Sequence, residues 1–210
     1  IADVLALIGR SGWLTPPLQP IVRCSVPIAA TARTFRLEMG NEGPGLTPLY
    51  EALSIDLTGC CVILDAQRVH GAVWGEILAT AAHNCGASGV LICGSVRDKA
   101  QVIQIGIPLY AMHEIVVGPA GRAHVQEVGG PITIEASISG TISDPVSDTI
   151  VNNGDLIVCD ESGCVAIPPA ISNQILDAAR RYAEAELETV RSLLRREPLT
   201  VAYLHKKKIV

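Results

Sequence analysis

Two unbroken apolar runs, CCVILDA at residues 60–66 and GVLICG at 89–94, limit the possible folds of this chain more than any other feature. Both are short and bounded by turn residues, so each predicts a strand covered on both faces. Between them, GEILATAAHN at 75–84 places Ile77, Leu78, Ala81 and Ala82 on one helical face, and Gly86 supplies a stop. Strand, helix and strand in this order make a parallel βαβ unit with a right-handed crossover. Such a unit brings the helix start near Gly75 to the same sheet edge as Arg97 and Asp98, which lie just past the second strand. Ligands bind at that edge in open α/β sheets.

The flanking sequence fills out an α/β protein. Residues 21–37 predict one or two strands, and GNEGPG at 40–45 breaks the chain before a short helical stretch, LTPLYEALSI. Short strands are expected at IPLYAM (107–112), PITIEASISGTI (131–142), DLIVCD (155–160) and CVAIPP (164–169), so the second half is mainly β. A final helix over about 170–196 carries Ile171, Ile175, Leu176, Ala179, Tyr182, Ala183 and Leu187 at helical spacing. With 210 residues, no repeat and no linker, the chain reads as a single domain, 1–210.

Composition excludes several classes of function. Hydrophobic residues make up 49% of the chain and charged ones 18%, which fits a compact fold rather than a disordered one. A net charge of -5 and 3% aromatic residues argue against a nucleic-acid partner. The one basic cluster, Lys206 to Lys208, reads as solvated surface. No apolar run reaches the roughly 18 residues of a membrane span, so no membrane partner and a cytoplasmic location are expected. The seven cysteines are odd in number and lack a Cys-x-x-Cys pair, so they read as buried thiols. Cys159 and Cys164 flank DESG at hairpin spacing, without the further ligand a metal would need, and DESG itself reads as a turn. His70, His83, His113 and His124 lack the spacing of a zinc site.

The chemistry gathers at the predicted sheet edge. A helix starting at Gly75 leaves the N–H groups of Gly75, Glu76, Ile77 and Leu78 without intrahelical acceptors, at the positive end of the helix dipole. A small carboxylate would bind there. Arg97 can grip the same anion or a neighbouring carbonyl oxygen through its planar fork, and Asp98 can hold a hard cation such as Mg²⁺. Carboxylate, carbonyl and metal together describe a small 2-oxo acid. The plainer alternative makes Asp98 the cap of the next helix and Glu76 an ordinary first-turn acid.

The combination resembles the RraA-like family, which includes the divalent-metal aldolases acting on 4-hydroxy-4-methyl-2-oxoglutarate and 4-carboxy-4-hydroxy-2-oxoadipate. The matching text is WGEILATAAHNCGASGVLICGSVRD, with Glu76, Gly86, Gly89, Gly94, Arg97 and Asp98 at the family's spacing. ATARTF at 30–35, VILDA at 62–66, IPLYA at 107–111 and GDLIVCDESGCVAIP at 154–168 also match, so the likeness covers nearly the whole chain. It implies a layered β/β/α fold and a homotrimer or homohexamer. Asp98 would then anchor Mg²⁺ or Mn²⁺, Arg97 would contact the substrate carbonyl oxygen, and the amides from Gly75 to Leu78 would hold a pyruvate carboxylate. Glu76 would stand near the acid–base machinery, although the family usually has Asp there, and Asn153 replaces the family's Pro before Gly-Asp. The implied activity is class II pyruvate aldolase chemistry with oxaloacetate decarboxylation. The family also contains non-catalytic regulators of a ribonuclease, which is the alternative.

Overall fold

The computed structural model describes residues 1–14, 18–24, 26–41, 43–135 and 148–204. The chain forms two compact units, Gly12–Pro168 and the pair of segments Ile1–Ser11 and Pro169–Val210.

In chain order the smaller unit opens with α1 (Ala2–Leu7), and the larger begins with β1 (Gln19–Val22), β2 (Ile28–Met39), α2 (Thr47–Ala52) and β3 (Cys60–Asp65). Next come β4 (Ala72–Trp74), α3 (Glu76–Asn84), β5 (Gly89–Val96), α4 (Lys99–Ile105) and β6 (Leu109–Glu114). The larger unit ends with β7 (Ala123–Val128), β8 (Ile132–Ile134), β9 (Thr149–Val151), β10 (Leu156–Asp160) and β11 (Gly163–Ile167). The smaller unit continues with α5 (Pro169–Leu194) and α6 (Leu199–Ala202). The strand expected over 131–142 is present as β8, and its part beyond residue 135 lies outside the described residues, as does Lys206 to Lys208.

Nine strands form one mixed sheet in the order β1-β6-β5-β3-β2-β10-β11, with β4 paired to β5 and β7 to β2. The expected crossover is present: β3 and β5 are parallel neighbours, from Cys61 opposite Gly89 to Asp65 opposite Cys93. β4 then takes over the edge of β5 that β3 vacates, setting Ala72 opposite Ser95 and Trp74 opposite Val96.

Strand alternation divides the core into two layers. Val62, Leu64, Val90, Ile92, Leu109 and Ala111 face one side, where Leu49 and Leu53 of the α2 segment, Ala79 and Ala82 of α3 and Val102 of α4 cover them. Cys61, Ile63, Leu91, Cys93 and Tyr110 face the other. There the two-stranded sheet β8-β9 contributes Ile132, Ile134 and Val151, and the β10-β11 hairpin contributes Ile157, Cys159, Cys164 and Ala166. Successive side chains of a strand point to opposite faces, so runs that are apolar throughout demand two covers. One cover here is helical and the other is β.

Two helical faces differ from expectation. In α3 the buried positions are Ala79 and Ala82, and Ile77 is 79% exposed, because small residues let the helix approach the sheet closely. In α5, Ile175 is buried as expected, whereas Ala183 and Leu187 are exposed and Ala185, Thr189 and Ser192 take the inner positions. Among the described residues, no helix is long and apolar enough to cross a membrane.

All seven cysteines are free thiols, and Cys159 faces Cys164 directly across the β10-β11 hairpin. The turn between them is held by Asp160, whose Oδ1 accepts from the amides of Ser162 at 2.8 Å and Gly163 at 3.2 Å. DESG is therefore a turn.

Candidate functional site

A cleft of about 600 Å³ opens beside the carboxyl ends of β4 and β5. Its wall includes Trp74, Gly75, Ile77 and Leu78 at the start of α3, and Arg97 and Asp98 after β5. The backbone holds these two segments together, since the Arg97 amide donates to the Trp74 carbonyl at 2.9 Å.

Asp98 occupies the N-cap position of α4, yet its side chain makes no capping hydrogen bond there. Its carboxylate turns across to α3, where Oδ2 accepts from the Glu76 amide at 3.3 Å. The Asp98 backbone supports this turn in the left-handed conformation (φ 57°, ψ 36°), which Asp tolerates better than most residues. The Arg97 Nε lies 3.6 Å from the same Oδ2, and the two side chains are 45% and 40% exposed. A pair this open contributes at most about 1 kcal/mol to stability, so folding alone does not account for it.

Two glycines make room for the pair. A Cβ on Gly75 would stand 2.5 Å from Asp98 Oδ2 and 3.1 Å from Arg97 Cγ, although the Gly75 backbone is extended and strain-free for any residue. On the other flank, a Cβ on Gly118 would stand 3.3 Å from Arg97 Nη1. The expected helix start at Gly75 is thus realised, and its role is close approach rather than unusual torsion.

The structure brings Gly75, Ile77, Leu78, Arg97 and Asp98 into one wall. The Glu76 side chain is exposed and is not part of that wall; what Glu76 visibly contributes is its amide to Asp98. Among the described residues, no three His, Cys, Asp or Glu side chains gather as a protein-only metal cage would require. Among the described residues lining the cleft, the donor offered to a cation is the carboxylate of Asp98. That suits Mg²⁺ or Mn²⁺ chemistry, since a hard, strongly hydrated ion needs only one or two protein carboxylates.

Sequence reasoning missed the opposite wall. Leu46, Tyr50, Leu53 and Ser54 from the α2 segment, Ala81 from α3, and Pro119 and Gly121 complete the cleft. Nothing in their pattern distinguishes them from ordinary packing residues. Trp74 also lines the cleft; it is buried, and its Nε1 has no hydrogen-bond partner.

Fold and cleft together define an α/β protein of layered β/β/α build, with an apolar cleft at strand ends whose charged side chains, among the described residues, are Arg97 and Asp98. The chain belongs to the RraA-like family, whose Aldolase/RraA profile matches residues 1–166. A Halalkalibacterium halodurans protein named provisionally as a 4-hydroxy-4-methyl-2-oxoglutarate aldolase is 24% identical over 194 residues, spanning 92% of this chain and 84% of the relative. An uncharacterized protein from Pseudomonas syringae pv. tomato has a crystal structure that superposes with a TM-score of 0.77 at 24% identity, covering 96% of this chain and 89% of the other. Streptomyces coelicolor RraAS2, described as an unusual member of the RNase ES inhibitor RraA protein family, superposes with a TM-score of 0.73 at 19% identity, covering 92% and 90%. These likenesses establish the layered fold. A ribonuclease inhibitor among them gives no support to the expected lack of any link to nucleic acid.

Proposed function

We propose that this protein is a divalent-metal-dependent pyruvate aldolase. It would cleave a 4-hydroxy-2-oxo acid to pyruvate and a second carbonyl compound, the reaction class of the 4-hydroxy-4-methyl-2-oxoglutarate and 4-carboxy-4-hydroxy-2-oxoadipate aldolases, and would decarboxylate oxaloacetate as a side reaction. The observation that carries this reading is the direction of the Asp98 carboxylate, which leaves the helix it could cap and enters the cleft beside Arg97.

In this reading the amides of Gly75, Ile77 and Leu78 bind the C1 carboxylate at the dipole end of α3, the Glu76 amide being engaged by Asp98. Asp98 would hold Mg²⁺ or Mn²⁺, which would supply Lewis-acid polarisation of the substrate carbonyl. Arg97 donates to that oxygen through its fork as negative charge develops on it. The C4 hydroxyl gives up its proton, the C3–C4 bond breaks, and the electron pair passes to C3 and spreads onto the C2 oxygen. Protonation of C3 then releases pyruvate. Glu76 is the further carboxylate at this edge, and the proposal gives it the proton transfer at the C4 hydroxyl by way of water, since its side chain does not line the cleft. The same reading carries a homotrimer or homohexamer working in the cytoplasm.

Incubation with oxaloacetate and Mg²⁺, with pyruvate followed through coupled lactate dehydrogenase, tests the proposal. Pyruvate release abolished by EDTA is expected. Absence of metal-dependent release would leave the non-catalytic, ribonuclease-regulating role as the better reading.

A further inference from the structure

The smaller unit leaves much of its apolar surface in water. Ten of the nineteen large apolar residues that are exposed among the described residues fall in Ile1–Ser11 and Pro169–Val210, so its helices do not cover one another fully. On α5 this exposure is ordered. The buried positions of the helix are Ile175, Ala185, Thr189 and Ser192. At about 100° of turn per residue, Ala183, Leu187, Val190 and Leu194 form a second line on nearly the opposite side. Leu187 and Val190 are each 50% exposed and Leu194 79%. Their spacing of four, three and four residues is that of a coiled-coil seam, and the same steps carry the line back through Arg180 to Leu176. A helix that packs one stripe on its own chain has no use for a second.

We infer that α5 pairs with α5 of a second copy of this chain, antiparallel about a two-fold axis. The charges beside the seam select this partner and this direction. Glu184 and Arg191 stand on the same flank, each one residue after a seam position, Ala183 and Val190. With Leu187 set opposite Val190 of the second copy, Ala183 falls opposite Leu194, so a small residue meets a large one in each outer layer. Glu184 of each copy then comes beside Arg191 of the other, twice by symmetry, and opposed charges flanking a seam set partner and orientation. Within its own chain Arg191 has only an open pairing with Glu188, Nη1 to Oε2 at 3.6 Å, which is too weak to hold it back. Parallel pairing in register would put Arg180 in the seam against its own copy, and like charges so placed repel. The contact uses one surface twice, so it closes on two chains and doubles whatever the rest of the molecule assembles. It is independent of the aldolase reading.

Light scattering of the full chain over a dilution series tests the pairing. The wild type should have a mass that is an even multiple of 22.1 kDa. Leu187→Glu/Val190→Glu should halve that mass and leave the far-ultraviolet circular dichroism unchanged, since both positions are half-exposed in the single chain. Charge reversal then reads the direction. Glu184→Arg or Arg191→Glu alone sets like charges together at two places and should weaken association about tenfold or more. The double reversal, Glu184→Arg/Arg191→Glu, restores opposite signs only in the antiparallel pair and should recover most of the loss. These two positions are exposed, so the reversals decide the matter even if the Leu187→Glu/Val190→Glu variant folds poorly. A single-chain or odd-multiple mass for the wild type would overturn the inference. So would a mass unmoved by Leu187→Glu/Val190→Glu, or single reversals that the double reversal does not rescue.

Discussion

At the scale of the residue, the cleft depends on one aspartate that does not behave as its position suggests. Asp98→Asn keeps an acceptor for the Glu76 amide and a side chain that tolerates the left-handed backbone. It should therefore leave the melting temperature nearly unchanged while moving metal activation of oxaloacetate decarboxylation to much higher Mg²⁺ concentration. Asp98→Ala removes that tolerance as well and should cost a further 1–2 kcal/mol or so in denaturant titrations. If Asp98→Asn instead melts early with normal activation, the carboxylate is structural. Arg97→Lys keeps the charge and loses the planar fork, and kcat should fall by about 10²-fold at unchanged stability, as for loss of an oxyanion donor. Gly75→Ala separates the two roles again. The atoms its Cβ meets belong to the flexible side chains of Asp98 and Arg97, so the fold should hold and the pair should be displaced, with kcat falling at least about tenfold and a thermal midpoint close to wild type.

At the scale of the element, the sheet explains both what the sequence made visible and what it did not. β3 and β5 were legible because an apolar run with no polar gap has few alternatives to a strand covered on both faces, and α3 followed from what must connect them. The helix start beside Arg97 and Asp98 was legible for the same reason. The far wall of the cleft was not, because Leu46, Tyr50 and Leu53 become neighbours of Leu78 only once the α2 segment packs beside α3, a relation set by contacts between segments and not by local periodicity. Nor could spacing reveal that the Asp98 carboxylate turns towards α3, since an N-cap position ordinarily predicts a cap. The β-covered layer has its own consequence. Burial pushes the thiols of Cys61, Cys93 and Cys164 above the ordinary range. Their folded-state affinity for protons exceeds that of the unfolded chain, so their contribution to stability is complete below the ordinary thiol pKa of about 8.5 and is lost as pH rises beyond it. The melting temperature should fall between pH 8.5 and 10.5. In the native protein iodoacetamide should label Cys60 and Cys85, the two partly exposed cysteines, well before the five buried ones. Rapid labelling of Cys93 at neutral pH would contradict this account.

At the scale of the whole molecule, the loop after β6 leaves Val116 95% and Val117 62% exposed, and Ile77 beside the cleft is 79% exposed. Apolar side chains left in water at these levels are common singly, but here they accompany a family resemblance that implies three-fold assembly. Light scattering should give a mass three or six times the 22.1 kDa of the chain, and a single-chain mass would remove the proposed assembly. The placement of the cleft within the chain has a different kind of consequence, one for descent. The groups assigned to bond cleavage all fall between Gly75 and Asp98, while much of the far wall comes from Leu46 to Ser54. If the proposed reaction holds, substitutions in the earlier segment would reshape the lining of the cleft while leaving untouched the groups assigned to bond cleavage.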